Sequence, residues 1–418
     1  MSWDIIFIAI IMLALVNKFF DLRNLLNPFV FFYLYQTAFC FIALAYCESW
    51  YPWIPISPEL RFYIILAYIL TFLGAMISRV LFARNGVEYV KINEIEIEKK
   101  PSRAFQISGV LIFIAGVVFF LIFTYKTGGV IIFAEDIEND RISRKVGAGL
   151  YNLLFLSFLL YGYMIILLLK DKTYFFKILF FLFTAFALVS YGSRAPLLKL
   201  LIASFLMITI LNSKKLSLKK YLKIGMGLFL FLVAAGAIRS NFEDDRVTFL
   251  RLMKFRAGWR PFVNLQNLQK IYDFFPTEHN YLLGESYWID FKLFFPGSNP
   301  NFGTYLKELM NWDFDGGSVT TTFIGLGYLN FGKIAFIVYP LVYGFLFNSV
   351  YQILVLKGKI KNISLLFLMF FSIGVSGSVS TGLFGTLINN ILFLLLVLVV
   401  HLVLKQLMLK RPFKLNLE

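Results

Sequence analysis

Long apolar runs alternate with short polar, mostly basic segments along nearly the whole chain. The runs fall at residues 5–16, 28–46, 60–82, 104–125, 150–169, 175–191, 197–211, 224–238, 331–356, 363–380 and 385–407. A bilayer's hydrocarbon core, roughly 30 Å thick, is crossed by about 20 apolar residues in a helix. The pattern therefore predicts an all-α polytopic membrane protein with about eleven transmembrane helices.

The polar segments set an orientation. Lys18 and Arg23; Arg79, Arg84, Lys91, Lys99, Lys100 and Arg103; Lys170, Lys172 and Lys177; Lys214, Lys215, Lys219, Lys220 and Lys223; Lys357, Lys359 and Lys361; and Lys405, Lys410, Arg411 and Lys414 all lie on one side if the chain crosses eleven times. The positive-inside rule makes that side cytoplasmic, which puts the N-terminus outside and the C-terminus inside. Three stretches follow: 1–238 with helices one to eight, 239–319 as a large extracytoplasmic loop, and 320–418 with the last three helices and a cytoplasmic tail.

Within the large loop, residues 247–273 carry Phe249, Leu250, Met253, Trp259, Phe262, Leu265, Leu268 and Ile271 at spacings near three and four. This periodicity predicts two amphipathic helices on the outer membrane surface. Residues 275–315 contain Pro276, Gly284, Pro296, Gly297, Pro300, Gly303, Gly316 and Gly317 and read as irregular loop.

Composition agrees with lipid as the solvent: 59% of residues are hydrophobic, 19% aromatic and 15% charged, and mean hydropathy is +0.75. The net charge of +16 sits in patches between spans, so it reads as a topology signal and not as a nucleic-acid surface. Residues 5–16 follow an acidic Asp4 without a basic leader or small-residue cleavage site, so they read as a first span and not a signal peptide. Cys40 and Cys47, seven positions apart, would have Cα atoms roughly 10 Å apart in a helix, which favours free thiols. With two cysteines and two histidines in the chain, a zinc or haem cofactor is not expected.

Ionisable residues inside the spans are few, chiefly Lys199 and His401, which argues against an ion-coupled transporter. Charge collects instead at the predicted outer interface: Arg141, Arg144, Lys145, Arg194, Arg239, Arg246, Arg251, Lys254, Arg256 and Arg260. Guanidinium forks bind phosphate oxygens in pairs, and a membrane interface offers polyprenyl diphosphates. Pairing with Glu135, Asp136, Glu138, Asp140, Glu243, Asp244 and Asp245 is the competing reading. As the diphosphate-binding set, the pattern favours Arg141, Arg144, Arg194, Arg239, Arg256 and Arg260.

Glycosyl transfer also needs a group to take a proton from the acceptor hydroxyl. Glu278, His279 and Glu285 are the favoured candidates, between the arginine-bearing helices and the Pro/Gly-rich loop, with Asp290 nearby. Asp313-Phe314-Asp315 looks like a metal-holding Asp-x-Asp pair but falls where nucleotide sugars are not supplied. Gly374, Gly377, Gly382 and Gly385, with Ser372, Ser376, Ser378 and Ser380, interrupt the link between the last two runs and suit close helix packing.

Three stretches carry a family likeness. One is Tyr191-Gly192-Ser193-Arg194-Ala195-Pro196-Leu197-Leu198, a Gly-Ser-Arg turn between spans. Another runs from Gly128-Gly129 through Asn139-Asp140-Arg141 to Gly147-Ala148-Gly149. The third is Tyr281-Leu282-Leu283-Gly284-Glu285-Ser286-Tyr287, then Phe294-Phe295-Pro296 and Pro300, then Gly316-Gly317 and the stretch from Phe323 to Gly332. In this order the chain resembles the oligosaccharide repeat-unit polymerases, the Wzy-type O-antigen and capsule polymerases. It departs from them at Gly297, where many members carry an arginine, and in having no Arg-x10-Gly spacing.

The resemblance implies an architecture like the GT-C-like membrane glycosyltransferases and a metal-independent, inverting transfer without cofactors. A glycan on undecaprenyl diphosphate would move to a sugar hydroxyl of an incoming lipid-linked unit on the outer face of the inner membrane. A Wzz-type chain-length-regulating co-polymerase is the implied partner. An O-antigen ligase would share the donor and differ in acceptor, with a loop histidine such as His279 as base. A lipid-linked oligosaccharide flippase would need a polar cavity through many spans. An accessory membrane protein would show no turnover.

Overall fold

The computed structural model describes residues 3–50, 55–98, 101–133, 148–169, 174–190, 194–211, 223, 226–227, 230, 249–292, 302–312, 319–355, 358–381 and 395–407. Their helices, in chain order, are α1 (Trp3–Phe20), α2 (Pro28–Gln36), α3 (Ile42–Trp50), α4 (Pro58–Arg84), α5 (Arg103–Lys126), α6 (Gly149–Leu168), α7 (Tyr174–Ser190) and α8 (Arg194–Leu211). They continue with α9 (Phe249–Phe274), α10 (Glu285–Lys292), α11 (Phe302–Leu309), α12 (Phe323–Phe331), α13 (Ala335–Leu354), α14 (Asn362–Thr381) and α15 (Leu395–Leu407). The protein is an all-α polytopic membrane protein.

Seven described helical spans are long and apolar enough to cross a bilayer: Trp3–Phe20, Pro28–Tyr46, Pro58–Arg84, Arg103–Phe133, Gly149–Leu168, Phe323–Leu354 and Asn362–Val379. Three shorter apolar helices, Phe175–Ser190, Ala195–Ile208 and Leu395–Leu407, match three further predicted runs. The predicted run at 224–238 lies almost wholly outside the described residues.

The chain forms two compact units, Met1–Ile95 with Lys215–Gly358 and Phe371–Asn389, and Glu96–Lys214 with Lys359–Phe370 and Asn390–Glu418. In the first, α1 buries Ile5, Ala9, Met12, Val16 and Phe20 on one face. Its other face presents exposed Trp3, Phe7, Ile10 and Ile11. An apolar helix that buries only one apolar face is stable only when lipid covers the other.

In the same unit α4 and α13 cross in close backbone contact. A Cβ on Gly74 would lie 2.1 Å from the Leu341 carbonyl oxygen, and one on Gly344 would lie 1.9 Å from that of Thr71. Glycine is required at both points because the obstacle is backbone. Close approach of this kind supplies the van der Waals contact that holds helices together in lipid, where apolar burial gives no drive. Polar groups extend the seam: Asn348 Nδ2 donates to Ser78 Oγ at 3.1 Å and Asn27 Nδ2 to Asn348 Oδ1 at 3.1 Å, while Ser78 and Ser349 share a 2.9 Å bond.

Between α2 and α3 the helix loosens into a π turn, Thr37–Phe41. Thr37 Oγ1 donates to the Tyr33 carbonyl at 2.7 Å and bonds the Tyr68 hydroxyl at 2.7 Å, with Tyr68 stacked between Tyr33 and Phe41. A side chain entering the hydrogen-bond ladder is a known cause of such bulges.

Two loop expectations are corrected. In place of two helices over 247–273, one helix, α9, runs through Phe249–Phe274 with Pro261 inside it. A proline removes one ladder bond, but Phe262, Leu265, Leu268 and Ile271 beyond it are fully buried and hold the axis. Residues 275–315, read as irregular, contain α10 and α11. Eight-residue helices are too short to be stable alone. They exist here because Ser286 and Ile289 of one and Phe302 and Leu306 of the other are buried, and because Asp290 Oδ1 accepts from Phe302 N at 3.2 Å. Gly374 and Gly377 do not break the chain, since α14 runs continuously past both.

In the second unit α5 packs on α6 through Gly109, Gly116 and Gly162, where a Cβ on Gly162 would lie 2.7 Å from Phe113 Cα. A two-residue parallel bridge pairs β1 (Glu96–Ile97) with β2 (Lys359–Ile360).

Candidate active site

The site region belongs to the first unit and is built from the C-terminal half of α9, the turn that follows it, α10, α11 and α12. Its centre is Asn330, fully buried near the end of α12. Gly284 N donates to Asn330 Oδ1 at 2.9 Å, and Asn330 Nδ2 donates to Ser286 Oγ and the Leu326 carbonyl, both at 2.7 Å. Beside it Leu282 N donates to the Leu329 carbonyl and Leu283 N to the Asn330 carbonyl. The 281–287 stretch is thereby clasped to the 323–332 stretch, so two separate parts of the third sequence signature are one structural object.

Glycines make the clasp sterically possible. Gly284 has φ +100° and Gly332 φ +68°, both in the left-handed region that glycine enters without penalty. A Cβ on Gly332 would also lie 2.9 Å from the Tyr281 ring. That ring stands edge-on to Tyr328 at 5.8 Å, and the Tyr328 hydroxyl donates to the Phe275 carbonyl at 2.5 Å. On the other side Asn267 Nδ2 donates to the Thr320 carbonyl at 3.1 Å and Thr320 Oγ1 to Asn264 Oδ1 at 2.8 Å, which fixes the entry to α12 against α9.

Glu278 follows α9 in the turn that leads to the clasp. Its N–H bonds the Phe274 carbonyl at 2.8 Å and its side chain is exposed, with no partner among the described residues. His279 lies against Phe274 and Phe275, and its Nδ1 is 2.7 Å from the Asn280 carbonyl oxygen. A carbonyl only accepts, so Nδ1 carries the proton and Nε2 of the neutral ring keeps its lone pair. Glu285 is exposed in the first turn of α10, where the helix dipole favours a carboxylate. The Tyr305 hydroxyl is pushed up by burial and by the Glu285 charge. Burial also raises Asp290, offset by the hydrogen bond from Phe302 N.

Of the predicted phosphate ligands, Arg256 and Arg260 lie on α9 and Arg194 begins α8 in the second unit, each described by backbone alone. Arg141, Arg144 and Arg239 fall outside the described residues, as does Asp313-Phe314-Asp315.

Sequence reasoning missed a polar group beside the clasp. Lys333, one residue past Gly332, donates to Glu59 at the start of α4, 274 residues away. Burial and the bond to Glu59 push the Tyr272 hydroxyl up to about 12. Tyr287 and Tyr339 share a short hydroxyl–hydroxyl hydrogen bond, and burial first, then that bond, raises Tyr287. The signal available was the density of tyrosines in 272–343; nothing local marks Glu59 as their partner.

The family model described as "Putative O-antigen polymerase" matches residues 5–383. The chain belongs to the O-antigen polymerase family. The match runs from α1 past the end of α14 and so takes in the clasp, the candidate bases and the α4–α13 crossing. Membership makes this a multi-pass inner-membrane protein of polysaccharide biosynthesis, a glycosyltransferase-like polymerase of O-antigen repeat units that acts on lipid-linked oligosaccharides. No curated protein and no solved structure matches it.

Proposed function

We propose that the protein lengthens the glycan by moving it from undecaprenyl diphosphate to a sugar hydroxyl of an incoming lipid-linked unit, on the outer face of the membrane. The transfer inverts the anomeric carbon and uses no metal. Undecaprenyl diphosphate leaves, and the main electrostatic demand is the charge that grows on it. Arg141, Arg144, Arg194, Arg239, Arg256 and Arg260 are the proposed ligands of that diphosphate, through the guanidinium fork. A Wzz-type co-polymerase would set chain length.

The observation that carries the catalytic part is the state of the turn between α9 and the clasp. Glu278, His279 and Glu285 lie within eight positions of one another on a segment anchored by Asn330. Two of them expose free or lightly engaged carboxylates, and the third keeps a lone pair on Nε2. A base must be accessible and held in place, and this turn offers both. The same imidazole would serve a ligase, so the acceptor decides between the two readings.

Deletion separates them in cells. Loss of a polymerase leaves single repeat units on the finished glycolipid, and re-expression restores the ladder. Loss of a ligase leaves no repeat units there at all, and that outcome would reassign the protein.

A further inference from the structure

The α1–α2 turn and the segment after α4 border an open cavity of about 270 Å³ lined by Asn17, Lys18, Asp21, Arg23 and Lys91. We propose that this cavity binds the phosphate of an anionic phospholipid headgroup. It lies where α1 ends and α4 has just ended, so it is at the rim of the spanning helices and far along α4 from Glu59. The inference is independent of the reaction proposed above.

The cations arrive from separate parts of the chain and are held there by built structure. Lys18 is in the last turn of α1. Arg23 is gripped by Asp21, with Nε to Oδ1 at 2.8 Å, Nη2 to Oδ2 at 3.0 Å and the Arg23 N–H to Oδ1 at 3.1 Å. Asp21 is buried and takes φ 56°, a left-handed conformation costly for a non-glycine residue. Lys91 comes from the segment after α4 and is fixed through its neighbours: Glu94 accepts from its N–H at 3.0 Å, and Tyr89 donates to the Phe20 carbonyl at 2.7 Å. Asn24 and Asn27 both donate to the Tyr89 hydroxyl. Three side chains, Tyr89, Asn24 and Asn27, thus hold the segment that carries Lys91 against the end of α1 and the turn after it.

Charge counting gives the ligand. Asp21, the one carboxylate in the lining, is spent on Arg23. Lys18 and Lys91 are exposed and have no carboxylate partner among the described residues. Asn17 Oδ1 accepts from Leu22 N at 3.4 Å, which leaves the side-chain NH2 as a donor at the wall. Two unpaired ammonium groups and an amide donor around a cavity of this size fit a tetrahedral phosphate, and headgroup phosphates are the anions present at that depth. Lysines scattered merely for topology need not converge on one cavity.

The test uses full-length protein in detergent, with dioleoyl phosphatidylglycerol, dioleoyl phosphatidylcholine or inorganic phosphate as probes, read by thermal shift and by lipids retained in native mass spectrometry. Wild type should bind phosphatidylglycerol in preference to phosphatidylcholine. A lysine near an anionic headgroup contributes on the order of fivefold, so Lys18→Gln with Lys91→Gln should weaken phosphatidylglycerol binding about 25-fold. Both side chains are exposed, so neither change opens the core. Lys359→Gln with Lys361→Gln, on exposed lysines outside the cavity, should leave binding unchanged. An equal loss from the second pair, or none from the first, would overturn the site. Equal stabilisation by inorganic phosphate, with no further gain from lipid, would overturn the lipid assignment.

Discussion

Asn330 and Ser286, 44 residues apart in the chain, are joined by a 2.7 Å hydrogen bond between buried groups. Through it the end of α12 carries the start of α10, and with it the turn that holds the candidate bases.

Asn330→Ala would leave Gly284 N and Ser286 Oγ without their partner in a buried place. An unmet buried polar group costs about 1–3 kcal/mol. The variant should unfold at lower temperature and lose polymer even when protein levels are restored. Asn330→Asp keeps an acceptor for Gly284 N but buries a carboxylate and turns its second oxygen toward the Leu326 carbonyl, so it should be no more stable than Ala in thermal unfolding.

At the α4–α13 crossing, Gly344→Ala should be strongly disruptive, because the new methyl would meet the Thr71 backbone. Overpacking of this kind costs about 1–3 kcal/mol. Gly149→Ala, where a Cβ meets nothing within 4 Å among the described residues, should be neutral in the same melting assay. Equal tolerance at both positions would contradict the crossing as described.

Replacing the base should cut turnover by about a hundredfold to ten-thousandfold. Polymer length is the readout for Glu278→Gln, His279→Ala and Glu285→Gln, with Asp313→Asn as comparison, each with and without EDTA. One of the first three should abolish polymer at normal protein level. Loss centred on Asp313 and sensitive to chelation would move the chemistry to the Asp-x-Asp pair.

For the diphosphate, the fork geometry of arginine is the claim, so lysine is the informative replacement. Arg194→Lys and Arg260→Lys should each fail to restore polymer in a deletion strain. Wild-type rates from both would reassign these residues to structural ion pairs.

Much of the fold was legible because lipid imposes it. Ten of the predicted apolar runs recur as described helices, and their ends agree to within a few residues in most cases. The larger differences are at 331–356, whose helical span begins at Phe323 and takes in the turn at Gly332, at 104–125, whose span continues to Phe133, and at 385–407, described as helix from Leu395. What stayed hidden depends on distance along the chain. Nothing near Asn330 names Ser286 as its partner, and nothing near Glu59 names Lys333. Periodicity marked 247–273 as helical, but the continuity of α9 across Pro261 and the two eight-residue helices were missed for a related reason: they rest on tertiary burial that local periodicity does not carry. Glu278, His279 and Glu285 were readable as residue types in a loop, but the anchoring of that loop was not.

The most direct test of the central claim is to supply purified protein with an undecaprenyl-diphosphate-linked repeat unit and no nucleotide sugar, and to follow the glycan by gel and mass spectrometry. A ladder of lipid-linked oligomers growing by whole repeat units is expected, with one undecaprenyl diphosphate released per bond formed. Extension that occurs only when a nucleotide sugar is added, one sugar at a time, would contradict it.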